Sequence, residues 1–350
     1  MRKRVRLPAL AFVVYFVIAL SAMSMPVAAG YGPNVFIVGP SGDTSGATDW
    51  TNMINAFENA LAAGPGSTVL LAEGVFYLNR PVQVADFDGT FKGAGIYKTL
   101  VRDAVDGLFG LSEAPLLPAP YFFVFYQSEM GYSRGTATHV RIADMTTLVT
   151  GLTEWGGGNY QFAGHFCVTS RYADDDGTPL GGFVGCEFDG VRLIGETSLD
   201  GICLWAPQKA YNFAPMSGTF KVTNSYIEYQ RRGIFFLGVV DSHVRIGGNP
   251  WAGNGFRGVW TDQRAGGAAV GVVSCYDSKF TFSHCDTYDT GGLWVYQGFW
   301  PFTVQATPSP SEFLVMKNTL RTTSDSWFGS IEVYDDNYYN DGIPTTEMKI

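Results

Sequence analysis

One unit recurs along most of this chain: a glycine followed by a short strand of alternating apolar residues. It stands at Gly164 (His-Phe-Cys-Val-Thr), Gly201 (Ile-Cys-Leu-Trp), Gly233 (Ile-Phe-Phe-Leu), Gly258 (Val-Trp-Thr-Asp), Gly292 (Leu-Trp-Val-Tyr) and Gly329 (Ser-Ile-Glu-Val-Tyr), at intervals of 37, 32, 25, 34 and 37 residues. A second strand precedes most copies, at 191–194, 220–223, 279–282 and 313–316. A unit of this size cannot bury its own apolar face and must stack on its neighbours, so the core grows with every copy. Two or three strands per repeat with no helix between them are the coils of a parallel β-helix. The uneven intervals fit turns that carry insertions, whereas propeller blades and leucine-rich repeats hold their period. An ordinary β-sandwich is the competing arrangement. The expected fold is therefore all-β, a right-handed parallel β-helix solenoid. The 43 glycines and the 16% of charged residues agree with a chain of turns and buried strands.

Before the repeats stands one amphipathic helix, from about 49 to 63, with Trp50, Met53, Ile54, Phe57 and Leu61 on its apolar stripe. Thr48 or Asp49 is placed to cap it, and Gly64-Pro65-Gly66 ends it. Period two then replaces period 3.6 in Ser67-Thr68-Val69-Leu70-Leu71-Ala72-Glu73-Gly74-Val75-Phe76-Tyr77-Leu78, followed by Val82-Gln83-Val84. Phe91-Lys92-Gly93-Ala94-Gly95 follows, with Thr99 after it. Over 43–101 these residues resemble the N-terminal region of the pectate lyase-like superfamily of right-handed β-helices. The resemblance implies that the helix caps the open end of the solenoid. It implies little about a reaction, because lyases, hydrolases, epimerases, phage tailspikes and proteins without known activity share that region.

The N-terminus limits where such a solenoid would work. Arg2, Lys3, Arg4 and Arg6 lead into an apolar stretch over 7–22, and Val27-Ala28-Ala29 precedes Gly30, the build of a signal peptide cleaved after Ala29. An uncleaved anchor is the alternative, although the stretch is short for a bilayer span of roughly 20 residues. The expected organisation is a signal peptide over 1–29 and one β-helix domain over 30–350, secreted or at the cell surface. Within that domain the cap and first coils occupy 43–101, a long loop 103–136, and repeated coils 138–335. Losing four basic residues and no acidic ones with the leader takes the formal charge from −9 to −13. Nucleic acid and acidic membrane surfaces reward clustered positive charge and are excluded as partners. Five cysteines, Cys167, Cys186, Cys203, Cys275 and Cys285, are too few for a disulfide-built scaffold. They are either buried thiols or include pairs such as Cys275 with Cys285 and Cys186 with Cys203. No obvious capping element follows the copy at Gly329, so either a further chain or an oligomer covers that end or residues are missing there.

Alternation within the repeated strand sorts its side chains. With Ile202, Leu204, Ile234, Phe236, Val259, Thr261, Leu293 and Val295 inward, the outward set holds Cys203, Trp205, Phe235, Trp260, Asp262, Trp294 and Tyr296, with Glu332 and Tyr334 from the last copy. An aromatic stripe interleaved with carboxylates suits a sugar chain, whose C–H faces stack on rings and whose hydroxyls bond to acids. Such a stripe also packs beneath a covering loop. It would be exposed in the first case and buried in the second. Substrate contacts are accordingly expected from Trp205, Phe235, Trp260, Trp294, Tyr296 and Tyr334.

Hydrolysis of a glycosidic bond needs two carboxylates roughly 5–10 Å apart, and a lyase needs a base beside the uronate together with charge neutralisation. Asp200, Asp262, Asp289 and Glu332 are the candidate acids, and Arg232, Arg257 and Arg264 the candidate bases. The chain departs from the characterised families. It has no Asn-Thr-Asp, no Asp-Asp followed by Gly-His-Gly and Arg-Ile-Lys as in polygalacturonases, and no Trp-x-Asp-His as in pectate lyases. Neither a cofactor nor a metal site is expected. Asp174-Asp175-Asp176-Gly177 is acidic enough to attract Ca2+ but lacks the ligand spacing of a calcium loop and reads first as an exposed turn. His139, His165, His243 and His284 stand in no nucleophile-elbow context, and Gly93-Ala94-Gly95 is not followed by the helix that a phosphate loop requires. Two functions remain. One is a carbohydrate-active β-helix, lyase or hydrolase, on an extracellular polysaccharide. The other is a non-enzymatic surface or envelope element with a structural or adhesive, glycan-binding role.

Overall fold

A computed structural model describes residues 34–104, 121–135, 138–149, 164–170, 182–195, 200–206, 208–209, 212–213, 216–228, 232–247, 254–257, 268–273, 275–288, 291–297, 311–321, 331–335 and 346–349. The leader expected over 1–29 lies outside them. Residues 35–350 form one compact unit, a parallel β-helix in which each full coil lays down three strands. The first face stacks Val35–Val38, Ser67–Leu71, Asp88–Lys92, the first halves of Thr138–Leu148 and Gly182–Ile194, Thr219–Thr223, His243–Gly247, Lys279–Ser283, Ser311–Met316 and Thr346–Lys349. The second stacks Gly74–Leu78, Thr99–Asp103, the second halves of the two long strands, Tyr226–Glu228, Asn254–Arg257, Cys285–Tyr288 and Thr319–Arg321. The third runs Val82–Ala85, Tyr121–Gln127, Gly164–Ser170, Asp200–Trp205, Arg232–Leu237, Ala268–Val273, Gly291–Gln297 and Ile331–Asp335. All of these pairings are parallel.

Two sequence expectations are corrected here. The third-face strand between Arg232–Leu237 and Gly291–Gln297 is Ala268–Val273, not the copy that begins at Gly258, which lies outside the described residues. Its small and aliphatic residues carry no aromatic mark, so the Trp260 copy looked the better match. Residues 103–136 are likewise not one loop, since Tyr121–Gln127 is a ladder strand and Glu129–Ser133 a short helix. The strand hides because Pro115, Pro118 and Pro120 lead into it and no glycine opens it as one opens the repeated units.

The helix, Ala47–Ala63, closes one end of the core by burying Met53, Ala56, Phe57 and Ala60. Phe57 meets Phe87, Phe91 and Phe125 at ring-centroid distances of 5.2, 5.2 and 5.8 Å, so one side chain joins the cap to the first two coils. The N-cap is Gly46, in a left-handed conformation (φ 78) where a Cβ would lie 2.7 Å from the Asn79 nitrogen. Thr48 and Asp49 do not cap the helix. Asp43 instead accepts from the backbone N–H of Ser45 and Thr48 at 3.0 and 3.1 Å, and fully buried Asp49 accepts from Ser41 N–H and Tyr77 N–H, both at 2.8 Å. Asp49 thereby ties the helix to the strand Gly74–Leu78.

Corners repeat as faithfully as strands. Between the first and second faces Asp144, Gly190, Asn224, His284 and Lys317 all take left-handed backbone (φ 53 to 64). Asn224 thus sits at the corner itself. Asn318 follows it by one residue and binds the previous coil, accepting from Cys285 N–H at 2.9 Å and donating to the Phe282 carbonyl at 2.8 Å. At the corner from the third face to the first, serines do the same: Gly218 N–H donates to Ser242 Oγ, Ser242 N–H to Ser278 Oγ and Ser278 N–H to Ser311 Oγ, at 2.8, 3.1 and 3.2 Å. Inside, Phe123 stacks on Phe166 and Phe280 on Phe313, at 5.1 and 4.8 Å. All five cysteines are buried thiols outside any disulfide.

A buried polar pair sits in this core. His165 turns inward from the third face, fully buried, with Nδ1 2.6 Å from Thr147 Oγ1. Burial disfavours its charged form and brings its pKa down to about 3. Because the unfolded chain protonates this histidine at about pH 6.5 and the native state does not, the unfolded state binds the extra proton. Its stabilising contribution is complete above that pH and is lost as pH falls toward 3. We expect unfolding free energy from urea titrations to drop by about 1.4 kcal/mol per pH unit on this account below about pH 6.5. His165→Gln should flatten that slope. Ser278→Ala removes the acceptor of Ser242 N–H inside the corner and should lower stability by about 1–3 kcal/mol in the same titration at neutral pH.

Candidate functional site

The third face carries the sequence-predicted residues, and its register places them. Asp200 pairs with Gly164 and Arg232, Cys203 with Cys167 and Phe235, and Trp205 with Thr169 and Leu237. Farther along, Phe235 is followed by Gly271 and Trp294, and Val273 by Tyr296. Just after Asp200 the strand departs from simple alternation. A Cβ on Gly201 would meet Ile227 and Leu193 of the second face, at 2.9 and 3.3 Å, while Ile202 also belongs to the core. Two consecutive inward positions leave Asp200 on the outer side.

On that outer side the cluster is closely bonded. Arg232 Nε donates to Asp200 Oδ1 at 2.7 Å and Arg232 Nη2 to Asp200 Oδ2 at 2.8 Å, a two-point fork. Tyr121 adds its hydroxyl, donating to Asp200 Oδ2 at 3.2 Å, and the guanidinium lies 3.6 Å from the Phe235 ring centroid. Asp200 is 0% exposed and Arg232 7%. Burial works against the charge of Arg232, yet the Asp200 carboxylate raises its pKa further above the ordinary value. Desolvation, with Cys203 and Asp200 close by, pushes the Tyr121 phenol well above its usual range. The Cys167 thiol is raised well above its own, by burial first and then by its hydrogen bond to Cys203. None of these three groups is set up to exchange a proton near neutral pH.

The outward aromatic stripe divides. Trp205 and Phe235, at 3% and 2% exposure, are buried, as is Cys203, the second of the two alternatives for these positions. Trp294 and Tyr296 are only partly buried, and their rings stand nearly parallel, 6.1 Å apart at 16°. Gly271 leaves room between Phe235 and Trp294: a Cβ there would lie 3.0 Å from one ring and 3.4 Å from the other. Sequence reading passed over Gly271 because its strand bore no aromatic mark. Glu332 and Tyr334 are in register with Trp294 and Tyr296, but only their backbone is described. The same holds for Arg257, in register with Glu228. Trp260, Asp262, Arg264 and Asp289 lie outside the described residues, as does the acidic run Asp174-Asp175-Asp176-Gly177. Among the described residues no group of three or more His, Cys, Asp or Glu side chains converges to hold a metal ion.

No protein-family model matches this chain, and no curated protein matches it. Among solved structures, ORF18 of Geobacillus virus E2 is similar over 95% of this chain, at 13% identity and a TM-score of 0.24. The chain spans 64% of that viral protein's length. The catalytic domain of a GH87 alpha-1,3-glucanase, solved in complex with nigerose, is similar over 93% of this chain and 70% of its own, at 9% identity and a TM-score of 0.27.

The ion pair makes a clear mutational signature. Asp200→Ala leaves Arg232 charged, buried and without its fork, and should destabilise the protein by about 3–5 kcal/mol in urea unfolding. Asp200→Leu combined with Arg232→Met removes both charges and should recover most of that loss.

Proposed function

We propose that the protein is an exported β-helix that binds a polysaccharide through its third face, at the Trp294–Tyr296 platform. The observation that carries this reading is the near-parallel, partly open pair of rings, 6.1 Å apart. Two stacked rings, each partly buried, leave aromatic carbon at the outer face for the C–H groups of a sugar unit, while its hydroxyls remain free for polar neighbours. The leader-like N-terminus supports export, and the acidic charge of the chain turns away nucleic acid.

A binding role is favoured over catalysis at the residues that are described. Asp200 is engaged by Arg232 and Tyr121 and enclosed, so it can neither donate a proton to a glycosidic oxygen nor face a second acid across a polymer. The lyase or hydrolase form of the proposal would rest on Asp262, Arg264, Asp289 and Glu332 instead.

Affinity electrophoresis in gels containing neutral or acidic polysaccharides tests the reading. The wild type should be retarded by at least one of them, and Trp294→Ala should weaken that retardation by about tenfold while leaving unfolding in urea cooperative. Retardation unchanged by Trp294→Ala, or absent across the panel, would overturn the platform. Reducing ends or unsaturated uronates released during incubation would establish a hydrolase or a lyase.

A further inference from the structure

Among the described residues the first strand of the ladder, Val35–Val38, is paired on one edge only, with Ser67–Leu71. Ala72 N–H donates to the Val38 carbonyl at 2.9 Å, so the two-residue alternation of a strand turns the peptide groups of Ile37 the other way, toward the open edge. Beside that edge runs the helix Ala47–Ala63, and between strand and helix lies a cleft of about 320 Å³. Its strand side is made by Phe36, Ile37 and Gly39, and its helix side by Asn52, Asn55 and Asn59. Spacings of three and four place the three asparagines on one helix face, all exposed, while Met53, Phe57 and Ala60 occupy the buried one. The asparagine row is therefore no part of the packing that holds the cap in place. Asparagine is also a poorer helix former than the glutamate, lysine or glutamine that would solvate such a face.

We infer that this cleft binds a neutral sugar unit. Each carboxamide presents a carbonyl acceptor and an NH2 donor in one plane, a pair that matches two adjacent ring hydroxyls. The outward N–H and C=O of Ile37 add a further donor and acceptor, and its side chain, 46% exposed, gives the C–H face of a pyranose an apolar floor. The volume is that of a small-ligand site. No lining side chain is titratable, so the cleft has nothing to hold a carboxylate, sulfate or phosphate, and binding is independent of pH and of salt. The site shares no residue with the Trp294–Tyr296 platform, and it stands at the first strand of the ladder.

Saturation-transfer NMR and calorimetry with nigerose, cellobiose and laminaribiose test it on the full chain, with a capped Val-Thr-Val-Thr peptide as the competing probe for a bare strand edge. Wild type and Trp294→Ala should bind at least one disaccharide with the same affinity at this site, unchanged between about pH 5 and 8 and on addition of salt. The double change Asn55→Leu and Asn59→Leu, which keeps a good helix former at each exposed position, should weaken it about tenfold or more. Gly39→Leu should block it as well, since a Cβ at Gly39 meets nothing within 4 Å and the substitution enters open space. Retained affinity in both cleft variants would overturn the inference, as would silence of the wild type toward all three sugars or binding of the peptide in their place. Loss of sugar binding in Trp294→Ala with the cleft variants unaffected would overturn this site while sparing the platform.

Discussion

Parallel register between successive coils is the constraint on which the rest depends. With strands about 4.8 Å apart, every side chain has its counterpart from the next coil at contact distance, so each position of the repeat becomes a column. A column works only if its members tolerate one another. The inner columns meet this with stacked rings and aliphatic side chains, as in Phe123 on Phe166 and Phe280 on Phe313. On the outer side of the first face opposite charges meet between adjacent coils, along a column in Lys221 with Glu187 and diagonally in Arg141 with Asp189, both at 2.7 Å. Corner columns meet it with a side-chain oxygen that receives the main-chain N–H of the neighbouring coil, as at Ser242, Ser278, Ser311 and Asn318.

The Asp200–Arg232 pair is the same principle under harder conditions. Enclosing two charges gains little net stability, because desolvation offsets most of their attraction. What the pair supplies is selectivity of register. The two residues are direct partners on adjacent strands, and any other alignment of those strands would separate them and leave both charges enclosed without a fork. Tyr121, one coil further back beyond Gly164, extends the link across four strands of the face. Gly164 has to be small for this, since a Cβ there would lie 1.9 Å from the Asp200 carbonyl oxygen.

Much of this was legible in the sequence, and the exceptions have physical causes. The capping helix, the strands around Gly74 and the repeated units at Gly164, Gly201, Gly233 and Gly292 could be read because one face of each element is polar or glycine-marked. Tyr121–Gln127 could not, because no glycine opens it, and Ala268–Val273 could not, because its small and aliphatic residues lack the ring that marks its neighbours. The serine column was missed although Asp241-Ser242 and Asp277-Ser278 repeat the same dipeptide, with left-handed backbone at both aspartates. A two-residue signal is too short to stand out until the coils are superposed. Asp200 and Arg232 were each singled out as candidate chemistry. Only the register showed that each is the other's partner.

The outward stripe shows why fold alone does not fix function. Parity correctly put Cys203, Trp205 and Phe235 on the outer side, but parity speaks of direction and not of solvent. Along one column the same outward position is enclosed at Cys203 and Phe235, vacant at Gly271 and partly open at Trp294. The glycine is what separates the two regimes. A side chain there would have to fit between Phe235 and Trp294 at 3.0 and 3.4 Å, so its absence lets the two rings approach over the strand, and beyond it Trp294 and Tyr296 are partly buried and nearly parallel. An aromatic column on a solenoid can meet a ligand only over the coils where the neighbours stop enclosing it, and here a residue without a side chain stands between the enclosed and the partly open members.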